Sequence, residues 1–135
     1  MKLYLSGPIT GVKRYRSKFA KFEKQLREMG HTVINPAVET EGLNPADYLL
    51  ISFARLQAAD GIVLLPNWWD SEGAKIEAAY AKYAKKRMFQ ALYPDARDGG
   101  IVEILRIYDM WNEEFPVLSY EPMHSIGRGD KKDGN

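Results

Sequence analysis

One uninterrupted apolar run, GIVLLP at residues 61–66, constrains the fold of this chain more than any other stretch. A strand with one face in water alternates apolar and polar residues, and this run contains no polar residue. Such a run is typical of a strand in a parallel sheet whose two faces are both covered by helices. The loop NWWD follows, and Ser71 then offers a cap for a helix, as expected in a chain of alternating strands and helices.

The rest of the chain repeats this alternation. Strands are predicted at KLYLS (residues 2–6), HTVINP (31–36), RMFQAL (87–92) and FPVLSY (115–120). Apolar residues at helical spacing predict helices over residues 15–29, 44–60, 71–86 and 101–111. Together these elements predict a single doubly wound α/β domain, flavodoxin-like or Rossmann-like, with a five-stranded, mainly parallel sheet flanked by helices. The domain is expected over residues 1–126, and the polar, glycine-rich residues 127–135 are expected to be a disordered tail.

Composition excludes several kinds of site. The 135 residues are 45% apolar, enough for one core, and 19 basic against 18 acidic residues leave a net charge of +1. No global field therefore favours nucleic acid or an acidic membrane. The absence of cysteine excludes disulfides, thiolate metal sites and a cysteine nucleophile. His31 and His124 are predicted at the surface, too far apart for a histidine-rich metal cluster, although a carboxylate magnesium site stays open. The short apolar start, MKLYL, suits neither a signal peptide nor a membrane span, so a cytoplasmic protein is expected.

Three loops are predicted to lie side by side, because the carboxyl ends of parallel strands share one edge of the sheet. They contain SGPITG (residues 6–11), the pair Asn35-Pro36 and NWWDSEG (67–73). Glycines let the first loop approach a ligand closely, although an ordinary turn fits equally. The candidate binding residues from the first two loops are Ser6, Gly7, Pro8, Ile9, Gly11 and Asn35. Three cations follow that either meet a phosphate or form a solvated first turn, namely Lys13, Arg14 and Arg16.

The helix after Ser71 carries a carboxylate whose role the pattern leaves open. Stepping 100° per residue predicts a buried face made of Ile76, Ala79, Tyr80 and Tyr83. Glu77 falls on the flank opposite the lysines, beside the smallest residues of the helix. A solvated glutamate and a functional carboxylate both fit this position. Tyr4 on the first strand is likewise either a packed aromatic or a hydroxyl that reaches the cleft.

The loop before this helix adds further candidates. Ser71 either only caps the helix or also binds a ligand, and Asp70 caps, holds a substrate hydroxyl or carries a proton. One tryptophan of the pair Trp68-Trp69 is expected to cover the cleft and stack on a base, a role assigned to Trp68. The other is expected to pack in the core or at a subunit contact.

The segments KLYLSGPITG, INPA and LQAADGIVLLPNWWDSEGAKIEAAYA, in this order, resemble the nucleoside 2-deoxyribosyltransferase superfamily over roughly residues 1–90. The likeness is strongest to a small, often phage-encoded branch of uncharacterised proteins. Members of the superfamily break or exchange the N-glycosidic bond of deoxynucleosides, and a relative hydrolyses deoxynucleoside 5′-monophosphates. The resemblance implies a small-molecule nucleoside or nucleotide substrate and a homo-oligomer of two or more copies that complete each other's sites. We expect no cofactor or metal, and no nucleic-acid polymer or membrane as a partner.

The resemblance also implies roles for single residues. Glu77, four residues after the matching Gly73, matches the glutamate nucleophile, and Tyr4 matches a tyrosine that holds this glutamate. Ser71 stands where the monophosphate hydrolases use a serine for phosphate, which favours a nucleotide over a nucleoside. The chemistry would be that of retaining glycoside hydrolysis, in which a carboxylate stabilises or captures C1′ as the base leaves.

One position departs from the superfamily pattern. Ser52, eight residues before Asp60, stands where relatives commonly carry an aspartate, and a serine cannot replace a carboxylate as acid or base at neutral pH. Either Asp70 or Asp47 does that work, or the chain has lost the reaction and kept the pocket with Ser52 in it. A glycosidic enzyme and a non-catalytic nucleotide-binding module therefore both stay open. A flavodoxin-like electron carrier is disfavoured, since SGPITG is not a hydroxyl-rich phosphate loop.

Overall fold

The computed structural model describes residues 1–38, 41–92, 100–107 and 118–122 of the chain. Its elements in chain order are β1 (Lys2–Ser6), α1 (Tyr15–Glu28), β2 (Thr32–Ile34), a 3₁₀ turn (Pro36–Val38), α2 (Pro45–Ala58), β3 (Gly61–Leu64), a second 3₁₀ turn (Trp68–Asp70), α3 (Glu72–Tyr83), β4 (Arg87–Ala91), β5 (Ile101–Ile107) and β6 (Leu118–Pro122). Among these elements, no helix is long and apolar enough to cross a membrane.

The strands form one sheet in the order β2-β1-β3-β4-β5-β6. The first four are parallel, whereas β4 pairs with β5, and β5 with β6, in antiparallel fashion. The chain leaves β1 toward β2 and then returns past β1 to β3, so the strand order reverses between β1 and β3. Ligands of doubly wound folds bind at the carboxyl ends of the strands at such a reversal. The predicted α/β class, with a parallel sheet flanked by helices, is confirmed.

Each face of the sheet is covered by helices. On one face, α1 buries Phe19, Phe22 and Leu26 against Leu3, Leu5, Val63 and Phe89. On the other face, α2 and α3 cover Tyr4, Ile62, Leu64 and Met88. All of β3 is therefore buried, which is why its sequence has no polar residue. The apolar stripe predicted for α1 is confirmed at its three central positions.

The buried face of α3 differs from the predicted one. Its buried residues are Ala74, Glu77, Ala78 and Ala81, while Tyr83 is 87% exposed. Trp68, Leu64 and Met88 supply the bulk on the sheet side of this interface, so small side chains on the helix let it approach the sheet closely. Tyr80 packs instead on Phe53 of α2, with ring centroids 4.9 Å apart. The face of α3 that packs on the sheet is therefore its alanine face, and Glu77 is buried because it lies on that face.

The segment predicted as a fourth helix is a strand over residues 101–107, and the prediction was wrong there. The pairing of β5 with β6 shifts between Ile104 and Arg106, which marks a bulge. A bulge inserts one residue into the period-two alternation of a strand, so apolar residues then recur at a spacing that imitates a helix. The sheet consequently has six strands instead of five. Residues 108–117, His124 and the predicted tail at residues 127–135 lie outside the described residues.

Candidate functional site

The carboxylate of Glu77 lies in the interior of the domain, with the side chain only 8% exposed. The Tyr4 hydroxyl donates to its Oε2 atom at 2.7 Å, and the Ser6 hydroxyl donates to its Oε1 atom at 2.5 Å. Each carboxylate oxygen therefore accepts at least one bond, which restricts rotation of the carboxylate. Within the described part of the chain, its hydrogen-bond partners are hydroxyls, and none is a cation.

The sequence produces this arrangement through simple periodicities. Tyr4 and Ser6 are two residues apart on β1, so their side chains point to the same face of the sheet. Alanines on α3 bring that helix close to this face, and Glu77 shares their buried side. Ser52 lies on the buried side of α2, one turn before the buried Leu56. Three elements thus deliver four polar side chains to the point where the strand order reverses.

Ser52 carries the third hydroxyl near Glu77. We call Tyr4, Ser6 and Ser52 together the hydroxyl cluster. The oxygen atoms of the Tyr4 and Ser52 hydroxyls are 2.9 Å apart. Tyr4 has a single proton, and the carboxylate is the stronger acceptor, so this proton goes to Glu77. Ser52 then donates its own proton to the Tyr4 oxygen or to the nearby carboxylate. All three members are buried.

Burial and hydrogen bonding act on Glu77 in opposite directions. Burial raises the pKa of Glu77 above its ordinary value, and the hydrogen bonds from Ser6, Tyr4 and Ser52 lower it only in part. The pKa of Tyr4 is also raised, mainly by burial and to a smaller extent by the neighbouring charge of Glu77. The phenol therefore stays protonated and acts as a donor. A carboxylate with a raised pKa is a stronger base and nucleophile when ionised. It is also a better-populated acid below that pKa.

Within the described residues, the hydrogen-bond partners of the Glu77 carboxylate do not include Asp70, Asp47 or Ser71. Asp70 is exposed in the second 3₁₀ turn, and Asp47 is exposed in the first turn of α2. Ser71 caps α3, because its hydroxyl accepts a bond from the Ala74 amide at 3.2 Å, and Gly73 follows within the first turn. The capping role of Ser71 is therefore confirmed, whereas its role toward phosphate stays a prediction.

Trp68 was predicted to cover the cleft and stack on a base, and its burial contradicts this prediction. Trp68 is only 3% exposed and packs in the core, where its indole N–H donates to Oε1 of Gln90 at 2.6 Å. A buried indole with its donor satisfied has no face free for a base. Trp69 is the more exposed of the pair and contacts Trp68 edge-on, with Lys75 Nζ 5.3 Å from its ring centroid. Trp69 is accordingly the better candidate for an aromatic contact with a ligand.

Asn35, a predicted binding residue, and His31, a predicted surface residue, have structural partners away from Glu77. Asn35 donates to Glu23 at 2.9 Å and accepts from the Ala37 amide at 2.9 Å, which connects the end of β2 to α1. Both polar groups of Asn35 are thus engaged on the α1 side of the sheet, opposite Glu77. His31 contacts the N-terminal amine at 3.1 Å, at the amino edge of the sheet. Neither residue joins the carboxylate.

The loop after β1 fits tightly against the loop after β3. A Cβ atom on Gly7 would come within 2.9 Å of Cβ of Leu65, so only glycine allows this contact. Pro8 and Ile9 are half-buried, and Gly11 is exposed in a turn. Next come the exposed Lys13 and Arg14, and Arg16, which bonds to the Ala37 carbonyl and Glu41. The loop predicted to approach a ligand therefore lies beside Ser6, at the carboxyl edge of β1.

Two features of this edge escaped the sequence reasoning. Ser6 was assigned to a ligand-binding loop, although it directly contacts Glu77; its spacing of two from Tyr4 was the available signal. Lys18 donates to the Pro66 carbonyl at 3.1 Å. This contact joins α1 to the loop after β3, and no local sequence pattern predicts it. In the described ranges, no group of three or more histidine, aspartate or glutamate side chains is arranged to hold a metal.

The fold and the site together define a doubly wound α/β protein with a buried, hydroxyl-bound carboxylate at the reversal of strand order. The chain belongs to the family described as a domain of unknown function (DUF4406), whose model matches residues 1–90. That span contains Glu77 and the whole hydroxyl cluster. No curated protein matches the chain.

Proposed function

We propose that this protein cleaves or exchanges the N-glycosidic bond of a 2′-deoxynucleoside or a deoxynucleoside 5′-monophosphate, with Glu77 as the nucleophile. The observation that supports this best is the buried Glu77 carboxylate, held by hydroxyls at 2.5 and 2.7 Å at the reversal of strand order. A carboxylate buried without a cation is expensive for a purely structural role, and such groups concentrate at functional sites. The likeness to nucleoside 2-deoxyribosyltransferases supplies the substrate class.

In the proposed reaction, one oxygen of ionised Glu77 attacks C1′ of the deoxyribose. The bond between C1′ and the base nitrogen breaks, and its electron pair leaves with the base, which takes up a proton. Water or a second base then attacks C1′ from the face opposite Glu77, gives its proton to the group that protonated the first base, and releases the carboxylate. Attack by water makes the protein a hydrolase, and attack by a base makes it a transferase.

The residues around Glu77 have distinct tasks in this scheme. Tyr4 and Ser6 hold the carboxylate plane so that one oxygen can face C1′, and their donated bonds favour the ionised form. Asp70 is the candidate acid for the departing base, because it is exposed at the same edge and can approach a bound ligand. Ser71, Gly73 and the backbone of residues 7–11 are the candidate contacts for sugar or phosphate oxygens.

A second candidate function is a non-catalytic nucleotide-binding module on the same fold. One observation favours it: within the described residues, Glu77 has Ser52 nearby but no second carboxylate among its partners. Proton transfer to the base would then lack a fixed donor. Ser52 instead supports the Tyr4 hydroxyl, a role that a binding pocket also needs.

The proposal extends to assembly and location. Two large apolar side chains lie in water on α2 and α3, with Leu50 72% and Tyr83 87% exposed. Isolated exposed apolar residues are common, yet two on neighbouring helices are consistent with a homo-oligomer. We place this assembly in the cytoplasm, where nucleotides are abundant, acting on a small molecule without a cofactor.

The test is base release from each deoxynucleoside and each 5′-monophosphate, with and without a second free base, followed by chromatography. Glu77→Gln keeps the shape of the side chain and removes the nucleophile. Glu72→Gln is the matched control, since Glu72 is an exposed residue of the same helix, paired with Lys75 at 3.2 Å. Release by the wild type and the control but not by Glu77→Gln supports the enzyme. Denaturing mass spectrometry should then detect a deoxyribosyl ester at Glu77.

Different outcomes separate the candidates. Transfer of deoxyribose to the added base would identify a transferase, and release alone a hydrolase. If wild type and Glu77→Gln are equally inactive while a nucleotide raises the melting temperature of both, the binding module is correct. If Glu77→Gln retains activity, Glu77 is not the nucleophile and the mechanism is wrong.

A further inference from the structure

A basic groove lies on the α1 side of the carboxyl edge. It has a volume of about 380 Å³ and is lined by Lys13, Arg14, Ser17, Lys18, Lys21, Phe22 and Pro66. We call this surface the basic groove. Four of its seven lining residues are cations and none is acidic, in a chain whose net charge is only +1. The volume falls within the range of small-molecule sites.

Within the described residues, the cations that line the basic groove form no salt bridge with an acidic side chain. The salt bridges among the described residues use Arg16, Arg27, Lys75 and Arg87, which lie outside the groove. Lys18 is half-buried, and its ammonium donates to the neutral Pro66 carbonyl at 3.1 Å. Burial lowers the pKa of Lys18, and an anion in the groove would oppose that effect. The groove thus concentrates positive charge that the described protein does not neutralise.

The basic groove is adjacent to the proposed active site through the central strands. Ser6, which holds Glu77, pairs with Leu64 at the end of β3, and the Leu65 amide donates to the Ser6 carbonyl at 2.8 Å. Pro66, which lines the groove, comes two residues after Leu64, in the turn that follows β3. Glu77 therefore lies on one side of the β1–β3 edge and the groove begins on the other. A ligand that crosses this edge reaches both.

We propose that the basic groove binds the phosphate chain of a nucleotide that carries more than one 5′-phosphate, while its deoxyribose lies at Glu77. This proposal rests on the proposed function, because it extends the substrate from a monophosphate to a di- or triphosphate. Charge complementarity supports it: four cations face a triphosphate that carries close to four negative charges at neutral pH. The reversal of strand order supports it as well, since α1 and α3 leave the neighbouring strands β1 and β3 on opposite faces of the sheet, and ligands of doubly wound folds bind at the carboxyl ends of such strands.

The first experiment measures anion binding without turnover. Inorganic tripolyphosphate is titrated into the wild-type protein and into the triple variant Lys13→Gln, Arg14→Gln, Lys21→Gln by isothermal calorimetry. The control is the triple variant Lys24→Gln, Lys82→Gln, Lys85→Gln, which removes the same charge from exposed positions outside the groove. The groove variant should bind about tenfold more weakly, from roughly twofold for each exposed pair, and the control within about twofold of wild type. Equal weakening in both variants would mean a diffuse charge effect and would overturn the proposal.

The second experiment compares Glu77-dependent base release from a deoxynucleoside and from its 5′-mono-, di- and triphosphate. The expected result is a kcat/KM that rises with each phosphate in the wild type and in the control, but not in the groove variant. Release that is indifferent to phosphate number would overturn the groove proposal and leave the proposed function intact.

Further outcomes keep the two proposals separate. If no substrate releases base, but tripolyphosphate and a deoxynucleoside triphosphate bind wild type and control more tightly than the groove variant, the enzymatic function fails and phosphate binding in the groove stands. If a single-stranded oligonucleotide displaces the triphosphate at lower concentration than inorganic tripolyphosphate does, the groove serves a nucleic-acid polymer and the proposal is wrong. Circular dichroism of both triple variants confirms that they fold.

Discussion

Replacing Tyr4 by phenylalanine tests whether the Tyr4 hydroxyl supports a buried charge. The ring of Tyr4 is fully buried and stays in place in the variant, so the change removes one oxygen and its two hydrogen bonds. The bond to Glu77 is charge-assisted when Glu77 is ionised, and such bonds contribute about 1.5–3 kcal/mol, against about 0.5–1.5 kcal/mol for the neutral bond to Ser52. The expected loss in unfolding free energy is therefore about 2–4.5 kcal/mol where Glu77 is ionised.

The loss should depend on pH in a direction that follows from the proton count. The Tyr4 hydroxyl lowers the pKa of Glu77 in the folded state, so its removal lets that pKa rise further. Between the two folded-state pKa values, the folded variant binds more protons than the folded wild type. Its stability therefore falls faster as pH rises through this interval, and the difference from wild type grows. Below the interval both bonds are neutral, and the loss should fall to about 1–3 kcal/mol.

Urea unfolding followed by circular dichroism, between about pH 5 and pH 8 and at one protein concentration, measures this difference. Tyr80→Phe is the matched control, because the Tyr80 hydroxyl donates to neutral Gln57 at 2.8 Å at the surface. The control should lose no more than about 0.5 kcal/mol at any pH. A Tyr4→Phe loss that is pH-independent, or as small as that of the control, would refute the reasoning about the buried charge.

Substitutions at three other positions probe the site and the fold. Glu77→Gln should abolish base release and raise the unfolding free energy at neutral pH. The Glu77 carboxyl ionises near its ordinary pKa in the unfolded chain, but only at a higher pH in the folded protein. The stability of the wild type therefore declines as pH rises between these two pKa values, and the stability of the variant does not. An unchanged pH profile of unfolding in the variant would contradict this. Gly61→Ala should lower the unfolding free energy by about 2 kcal/mol or more, because the new Cβ would meet the Arg87 carbonyl at 2.8 Å across the β3–β4 pairing; a neutral result in urea unfolding would show that the strands can separate there. Asn44→Ala should cost about 1 kcal/mol by removing the cap that accepts the Asp47 amide at 3.0 Å, and Asn44→Asp should restore most of it; equal stability of the two variants by thermal unfolding would exclude the cap.

Much of the parallel half of the fold was predictable because its signals are local. The unbroken apolar run in β3, the stripe along α1 and the caps at Asn44 and Ser71 are each written within one element or its boundary. Predictions failed where two patterns coincide. The bulge in β5 breaks the alternation of a strand and imitates a helix, and the alanine face of α3 was outweighed by its larger apolar residues.

The candidate site was likewise predictable in its residue types but not in the contacts between them. The sequence by itself supplied the types of residue, namely a carboxylate on a helix after a buried strand, and a tyrosine and a serine two positions apart on the first strand. Only the tertiary structure decided that they meet, because the bonds from Tyr4 to Glu77, from Ser6 to Glu77 and between Tyr4 and Ser52 join residues 73, 71 and 48 positions apart. Periodicity determines which face of an element a side chain occupies. Which faces are then brought together depends on strand order and on how closely small side chains let helices approach the sheet.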